Sequence, residues 1–251
     1  MAHITDIIRT LDELLTPGEF QDLGPNGLQV PGQPEITRVV TAVSARRELS
    51  ERAVELGAQL ILVHHGLFWD FHPTGLTPLL AERLRPLFKH DINLAAYHLP
   101  LDAHPEVGNN ALLARALGCT GIEPFGTYKG RAIGAKGRLE NLTRQQLAER
   151  VAQATGREPL ILGAGPEPIT SIGIVSGSAA DTLGEAVHEG LDAFLTGEPR
   201  EHITAEAAEH GVHFIAAGHY ATETFGVRAL GDLLADRFGV QHHFVDLPNP
   251  V

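Results

Sequence analysis

Cysteine is almost missing from this chain: Cys119 is the single one among 251 residues. That excludes an internal disulfide and the paired-cysteine spacing of structural zinc sites, and a lone thiol fits a reducing cytoplasm. Cys119 follows a helix-ending glycine with no base nearby in sequence, so a packing role is expected. Cations are also scarce. Lys plus Arg number 19 against 31 Asp plus Glu, a formal net charge of −12. Such a balance argues against a general nucleic-acid or membrane-surface binder, both of which need a basic face. It still allows an anionic small molecule held by a local group of cations. No run approaches the roughly 18 apolar residues of a membrane span. The start, MAHITDIIRTLDELL, reads as an amphipathic helix and lacks the basic opening of a signal peptide. Low-complexity segments and charge blocks are missing too, and a soluble protein is expected.

What is present is an ordinary globular mix, 43% apolar and 20% charged. Short apolar runs alternate with helical patterns, which points to an α/β layered fold. Strands are expected at 36–44, 60–63, 92–97, 131–139, 160–162, 169–176, 193–196 and 213–217. Helices are expected at 47–56, 77–89, 109–117, 143–155, 181–188, 200–209 and 225–238. The segment VVTAVSARRELSERAVELGAQLILVHH aligns with SIGIVSGSAADTLGEAVHEGLDAFLTGE after a one-residue shift. A repeat of this length implies duplication. The expected architecture is therefore two similar α/β halves, 1–125 and 126–251, with the boundary in Gly121–Gly130.

The 14 histidines are mostly expected on the surface, but some sit in a pattern. Ala-Ala-Tyr97-His98-Leu-Pro-Leu-Asp102 and Ala-Ala-Gly218-His219-Tyr-Ala-Thr-Glu223 both end an apolar run with His, three spacers and a carboxylate. His64-His65 closes another apolar run. Imidazole nitrogens and carboxylate oxygens at strand ends are the donors a divalent metal takes. Open α/β sheets bind ligands outside those ends. Two such groups suggest two ions, with His64, His65, His98, Asp102, His219 and Glu223 as candidates. His98 matches His219 by symmetry, and ligation and proton transfer are both open to it. Asp102 and Glu223 could instead cap helices. Glu198 and His202 read as a helix start, and His242-His243 as an edge strand. Ser176-Gly-Ser178 is a weak candidate for a phosphate-binding turn.

These residues make the chain resemble the NIF-three-like family, the GTP cyclohydrolase I type 2 homologs. The resemblance also rests on Pro25-Asn26-Gly27-Leu28-Gln29-Val30, His64-His65-Gly66-Leu-Phe-Trp69, Asn109-Asn110, Gly130-Arg-Ala-Ile-Gly-Ala-Lys-Gly-Arg-Leu139 and Thr196-Gly-Glu198 with His202. It covers nearly the whole chain and looks like the compact bacterial branch. It implies two intertwined α/β/α halves with mixed sheets, and a homohexameric ring. It further implies a dinuclear site ligated by His64, His65, Asp102, His219 and Glu223. Zinc, iron, manganese and nickel all suit such mixed ligation.

The reaction implied is metal-assisted hydrolysis, in which the guanine imidazole ring of GTP opens and formate leaves. His98 is then the expected catalytic proton carrier. The triphosphate would need cations, for which Lys129, Arg131, Lys136 and Arg138 are the candidates. The other function class is a metal-handling or protein-interaction protein without turnover. A nucleic-acid-binding regulator is disfavoured by the charge.

Overall fold

The computed structural model describes all 251 residues. In chain order it has β1 (Ala2–His3), α1 (Ile4–Leu15), β2 (Gly27–Val30), β3 (Glu35–Ile36), β4 (Arg38–Ser44), α2 (Arg47–Glu55), β5 (Leu60–His65), α3 (Pro78–Lys89) and β6 (Asn93–Ala96). Next come α4 (Leu99–Ala103), α5 (Asn109–Ala116), β7 (Thr120–Tyr128), β8 (Arg131–Leu142), α6 (Arg144–Thr155), β9 (Leu160–Leu162) and β10 (Ile169–Ile174). The chain then forms α7 (Leu183–His188), β11 (Ala193–Thr196), α8 (Ile203–His210), β12 (His213–Ala216), α9 (His219–Thr222), α10 (Thr224–Phe238) and β13 (Gln241–Phe244). No helix is long and apolar enough to cross a membrane.

The chain forms two compact units, each drawn from two stretches. One comprises Met1–Leu101 and Gly226–Leu247, the other Asp102–Phe225 and Pro248–Val251. These limits differ from the halves 1–125 and 126–251. The reason is the return of the chain after α9: β13 pairs in parallel with β4, from Gln241 opposite Arg38 to Phe244 opposite Thr41. Gly121–Gly130, the expected boundary, lies inside the second unit. Most of it is β7, an edge strand antiparallel to β8. Pro124 is tolerated there because an edge strand need not donate every amide. A register shift between Thr120 and Glu123, with Gly121 at φ +60°, breaks the alternation that would have marked a strand.

In the first unit the sheet order is β13-β4-β5-β6-β2, with β4, β5 and β6 parallel and β2 antiparallel at the edge. Every residue from Val39 to Val43 is buried, as expected of a strand covered on both faces. Leu49 and Ala53 of α2 and Leu84 and Leu87 of α3 pack with Val40, Ala42, Ile61 and Val63. Helix α1 buries Ile7, Leu11 and Leu15, at the helical spacing the sequence shows.

The second unit has the order β7-β8-β10-β11-β12-β9 around a parallel β10-β11-β12 core. One apolar layer gathers Leu113 and Leu117 with Leu147, Val151, Ile172 and Ile174. Another gathers Leu183, Ala186, Ile203 and Ala207 with Phe194 and Phe214. Thr143 starts α6 with a capping box, its side chain accepting from Gln146 N while Gln146 reaches back. Both units thus share a parallel three-stranded core and an antiparallel strand beside its third member. That correspondence is the duplication seen in the sequence.

Candidate metal centre

Three adjacent parallel strands of the first unit end at the same edge, which sets Ser44, His64-His65 and Tyr97-His98 side by side. One ring nitrogen from each of His64, His65 and His98 lies within 4.8 Å of the others. The His64 and His65 ring centroids are 4.7 Å apart, and His98 is 4.9 Å from His64 and 5.6 Å from His65. His64 is fully buried, and its Nδ1 lies 3.0 Å from the Tyr97 carbonyl oxygen. A carbonyl only accepts, so Nδ1 must carry the hydrogen, and the neutral ring bears its lone pair on Nε2. That is the state in which imidazole ligates a metal. His65 Nδ1 contacts Ser44 Oγ at 3.0 Å. His98 Nδ1 lies 2.7 Å from Asp22 Oδ1, whose side chain is buried. Burial alone would raise the Asp22 pKa, but its hydrogen bonds and the His98 contact hold it below the usual value. Trp69 donates from Nε1 to the Gly66 carbonyl at 3.1 Å and meets the His98 ring edge-on at 5.2 Å.

The second unit repeats the arrangement with carboxylates. Ser176-Gly177 follows β10, Gly197-Glu198 follows β11, and Gly218-His219 follows β12. His219 Nδ1 is hydrogen bonded to Glu198, and its Nε2 lies 3.2 Å from Glu223 Oε1. Burial alone would lower the His219 pKa. The bonds and charges of Glu223, then Glu198, outweigh it and raise the value to about 9. Gly177 adopts φ +69°, and a Cβ there would overlap Glu223 Oε1 and come within 3.3 Å of His219 Nε2. Only glycine leaves the His219–Glu223 pair its space. Asp102 is buried, and one oxygen, Oδ1, accepts both from Asn109 Nδ2 at 2.8 Å and from Ser176 Oγ at 3.1 Å. Asn110 Oδ1 accepts from Ser176 N at 2.7 Å, and Asn110 Nδ2 donates to the Ile133 carbonyl at 2.7 Å.

The donor chemistry fits a divalent cation in each unit: in the first a neutral imidazole, His64, with its tautomer fixed by a carbonyl, and in the second oriented carboxylates around His219, whose ring would release a proton on ligating an ion. Ions held there would supply Lewis acidity toward a substrate oxygen or nitrogen. His64, His65 and His98 come together in the first unit, and His219 and Glu223 in the second. Asp102 is set in that second unit by Asn109 and Ser176.

Several sequence readings are corrected. Glu198 does not simply open a helix, because its carboxylate holds His219. Ser176 is committed to Asp102 and is not the start of a phosphate turn. Within the cation segment, alternation puts Lys136 and Arg138 on one face of β8 and Arg131 on the other. Lys136 is neutralised by Glu189, with Glu123 3.9 Å away, and Lys129 lies over the Tyr128 ring, 5.3 Å from its centroid. Cys119 is buried, and burial pushes its thiol up to about 11, in keeping with packing. His242 lies in the edge strand β13 between Thr41 Oγ1 and Asp232 Oδ1, both at 2.8 Å. Asp22 and Ser44 escaped the sequence reading as site residues, and Ser176 entered it only as part of a phosphate turn, for none belongs to a metal-ligand pattern. Asn26 and Asn109 stood in the segments that carry the family resemblance.

A family model described as Duf34/NIF3 (NGG1p interacting factor 3) matches residues 2–250. The chain belongs to that family. A Pseudomonas aeruginosa relative named GTP cyclohydrolase 1 type 2 homolog is 44% identical over 248 residues, 98% of each chain. An Escherichia coli K12 relative of the same name is 39% identical over 250 residues, 98% of each chain. Among solved structures, protein ybgI, described as of unknown function, superposes with a TM-score of 0.94 at 38% identity, covering 99% of this chain and all of that one. TTHA1606 from Thermus thermophilus gives 0.92 at 38% identity, covering 99% of this chain and 100% of its own.

Proposed function

We propose that this family member is a dinuclear, divalent-metal-dependent hydrolase of the GTP cyclohydrolase I type 2 kind. The observation that carries the reading is the state of the donors. A fully buried imidazole, His64, is held as the Nδ1–H tautomer beside two further imidazoles. The His219–Glu223 pair sits over a glycine that no other residue could replace without displacing it. The ligands in this reading are those the family resemblance gives, His64, His65, Asp102, His219 and Glu223. The two ions would be zinc, iron, manganese or nickel.

The chain's own residues have definite tasks in such a reaction. Asn109 and Ser176 hold the Asp102 carboxylate, and Glu198 holds the His219 ring. His98 is the proton carrier: its Nε2 takes a proton from the attacking water and returns it to the departing nitrogen. Five ligands for two ions leave coordination positions for water and substrate, which favours catalysis over a purely structural site. Self-association into a homohexameric ring and a cytoplasmic location complete the proposal, the first measurable by sedimentation.

The deciding experiment is GTP turnover by protein reconstituted separately with zinc, manganese and ferrous iron, followed by formate release. Activity that disappears in His219→Ala supports the cyclohydrolase reading. Intact GTP with two metal equivalents bound rejects it in favour of a metal-handling role or another hydrolytic substrate.

A further inference from the structure

The geometry points to Asp22 as the positioning residue for His98, with Asn26 bracing the loop behind it: Asp22 locks the imidazole as the Nδ1–H tautomer and leaves Nε2 as the lone-pair nitrogen beside His64 and His65. Its purpose rests on the hydrolase reading above, but its test does not.

Asp22 lies in the irregular stretch before β2, yet its side chain is only 4% exposed. A carboxylate is costly to bury unless its oxygens are satisfied, and here four donors converge on it. Oδ1 accepts from His98 Nδ1 at 2.7 Å and from Leu23 N at 2.7 Å. Oδ2 accepts from Asn26 Nδ2 at 2.9 Å and from Leu99 N at 3.0 Å. Asn26 in turn accepts the His98 backbone amide on Oδ1, at 2.7 Å. The loop therefore grips His98 at its ring, at its own amide and at the amide of the next residue.

Capping the first turn of α4 accounts for Oδ2 alone. The Oδ1 contact with the ring has no part in capping, and it sets the chemistry. An ionised carboxylate only accepts, so His98 must donate from Nδ1. Free neutral histidine prefers the hydrogen on Nε2, the tautomer that would face the metal donors with an N–H and accept no proton. Asp22 reverses that preference. The carboxylate fixes which ring nitrogen bears the hydrogen and holds the ring in place, as the aspartate of a catalytic triad fixes the tautomer of its histidine. Trp69, edge-on to the ring, limits the alternative rotamers.

The test is long-range ¹H–¹⁵N NMR of EDTA-dialysed, histidine-labelled protein from pH 6 to 10, with His98→Gln for assignment. The neutral His98 ring should carry its hydrogen on Nδ1. Asp22→Ala should return it to the Nε2–H form, while calorimetry with ZnCl2 shows unchanged stoichiometry. Formate release by the zinc-loaded variant should fall about a hundredfold in kcat with KM little altered. Asn26→Ala, which keeps the Oδ1 contact, should retain the Nδ1–H form. A wild-type Nε2–H tautomer overturns the assignment without recourse to any variant, even if Asp22→Ala does not fold. A folded Asp22→Ala that keeps Nδ1–H overturns it equally. Absence of formate release by the wild-type protein with zinc, manganese and ferrous iron alike would sink the cyclohydrolase reading and leave the tautomer result standing.

Discussion

Replacing Gly177 with alanine probes the second donor set at its tightest point. The residue sits at φ +69°, a left-handed backbone that costs a side-chain-bearing residue about 1–2 kcal/mol. The new Cβ would also overlap Glu223 Oε1. Neither partner can easily retreat. Gly177 N donates to Thr222 Oγ1 at 3.1 Å, and its carbonyl accepts from Gly197 N at 2.8 Å and Glu198 N at 3.1 Å. Glu223 is 3% exposed and engaged with His219. Overpacking of this kind costs about 1–3 kcal/mol, so the total loss is about 2–5 kcal/mol. At this chain length each kcal/mol lowers Tm by about 2–4 °C. Thermal melts of EDTA-treated protein should therefore fall by at least several degrees. Zinc should raise the wild-type Tm by mass action and raise that of Gly177→Ala less, because the displaced carboxylate binds the ion poorly. A variant within about 0.5 kcal/mol of wild type, with the full zinc-induced gain, would refute the cradle.

Two further expectations concern groups that are not themselves donors. Cys119 should not react with Ellman's reagent at pH 8 in the native protein and should titrate as one thiol in denaturant, since burial raises it to about 11; rapid stoichiometric labelling of native protein would contradict the packing role. His104 Nδ1 accepts from the backbone amides of Glu106 at 3.1 Å and Val107 at 3.2 Å, and burial, outweighing the Glu106 charge, lowers its pKa below 6.5. The neutral ring is thus the folded form: stability is intact above the unfolded pKa and falls as pH drops through 6.5 and below. His104→Asn keeps an acceptor that does not titrate, so wild type should lose stability relative to it in urea melts at acid pH. A pH-independent difference would reject that account.

The sequence by itself determined what depends on local pattern. The stretches 39–43 and 60–63 are apolar at every position but Thr41 because they are buried on both faces, so their place as core strands was legible. So were the helices with the 3.6-residue period and the Thr143 cap. The repeat was visible because both units bury equivalent strands, and the histidines stood out because strand ends carry them. Tertiary structure decided what depends on groups far apart in the chain. Asp22 and His98 are separated by 76 positions, Ser176 and Asp102 by 74, and Glu198 and His219 by 21. No periodicity links such pairs, because a hydrogen bond records proximity in space and not spacing along the chain. The same holds for Lys136, whose neutralisation by Glu189 arises from packing across the fold. The unit limits also lay outside local pattern, since the pairing of β13 with β4 brings residue 241 beside residue 38.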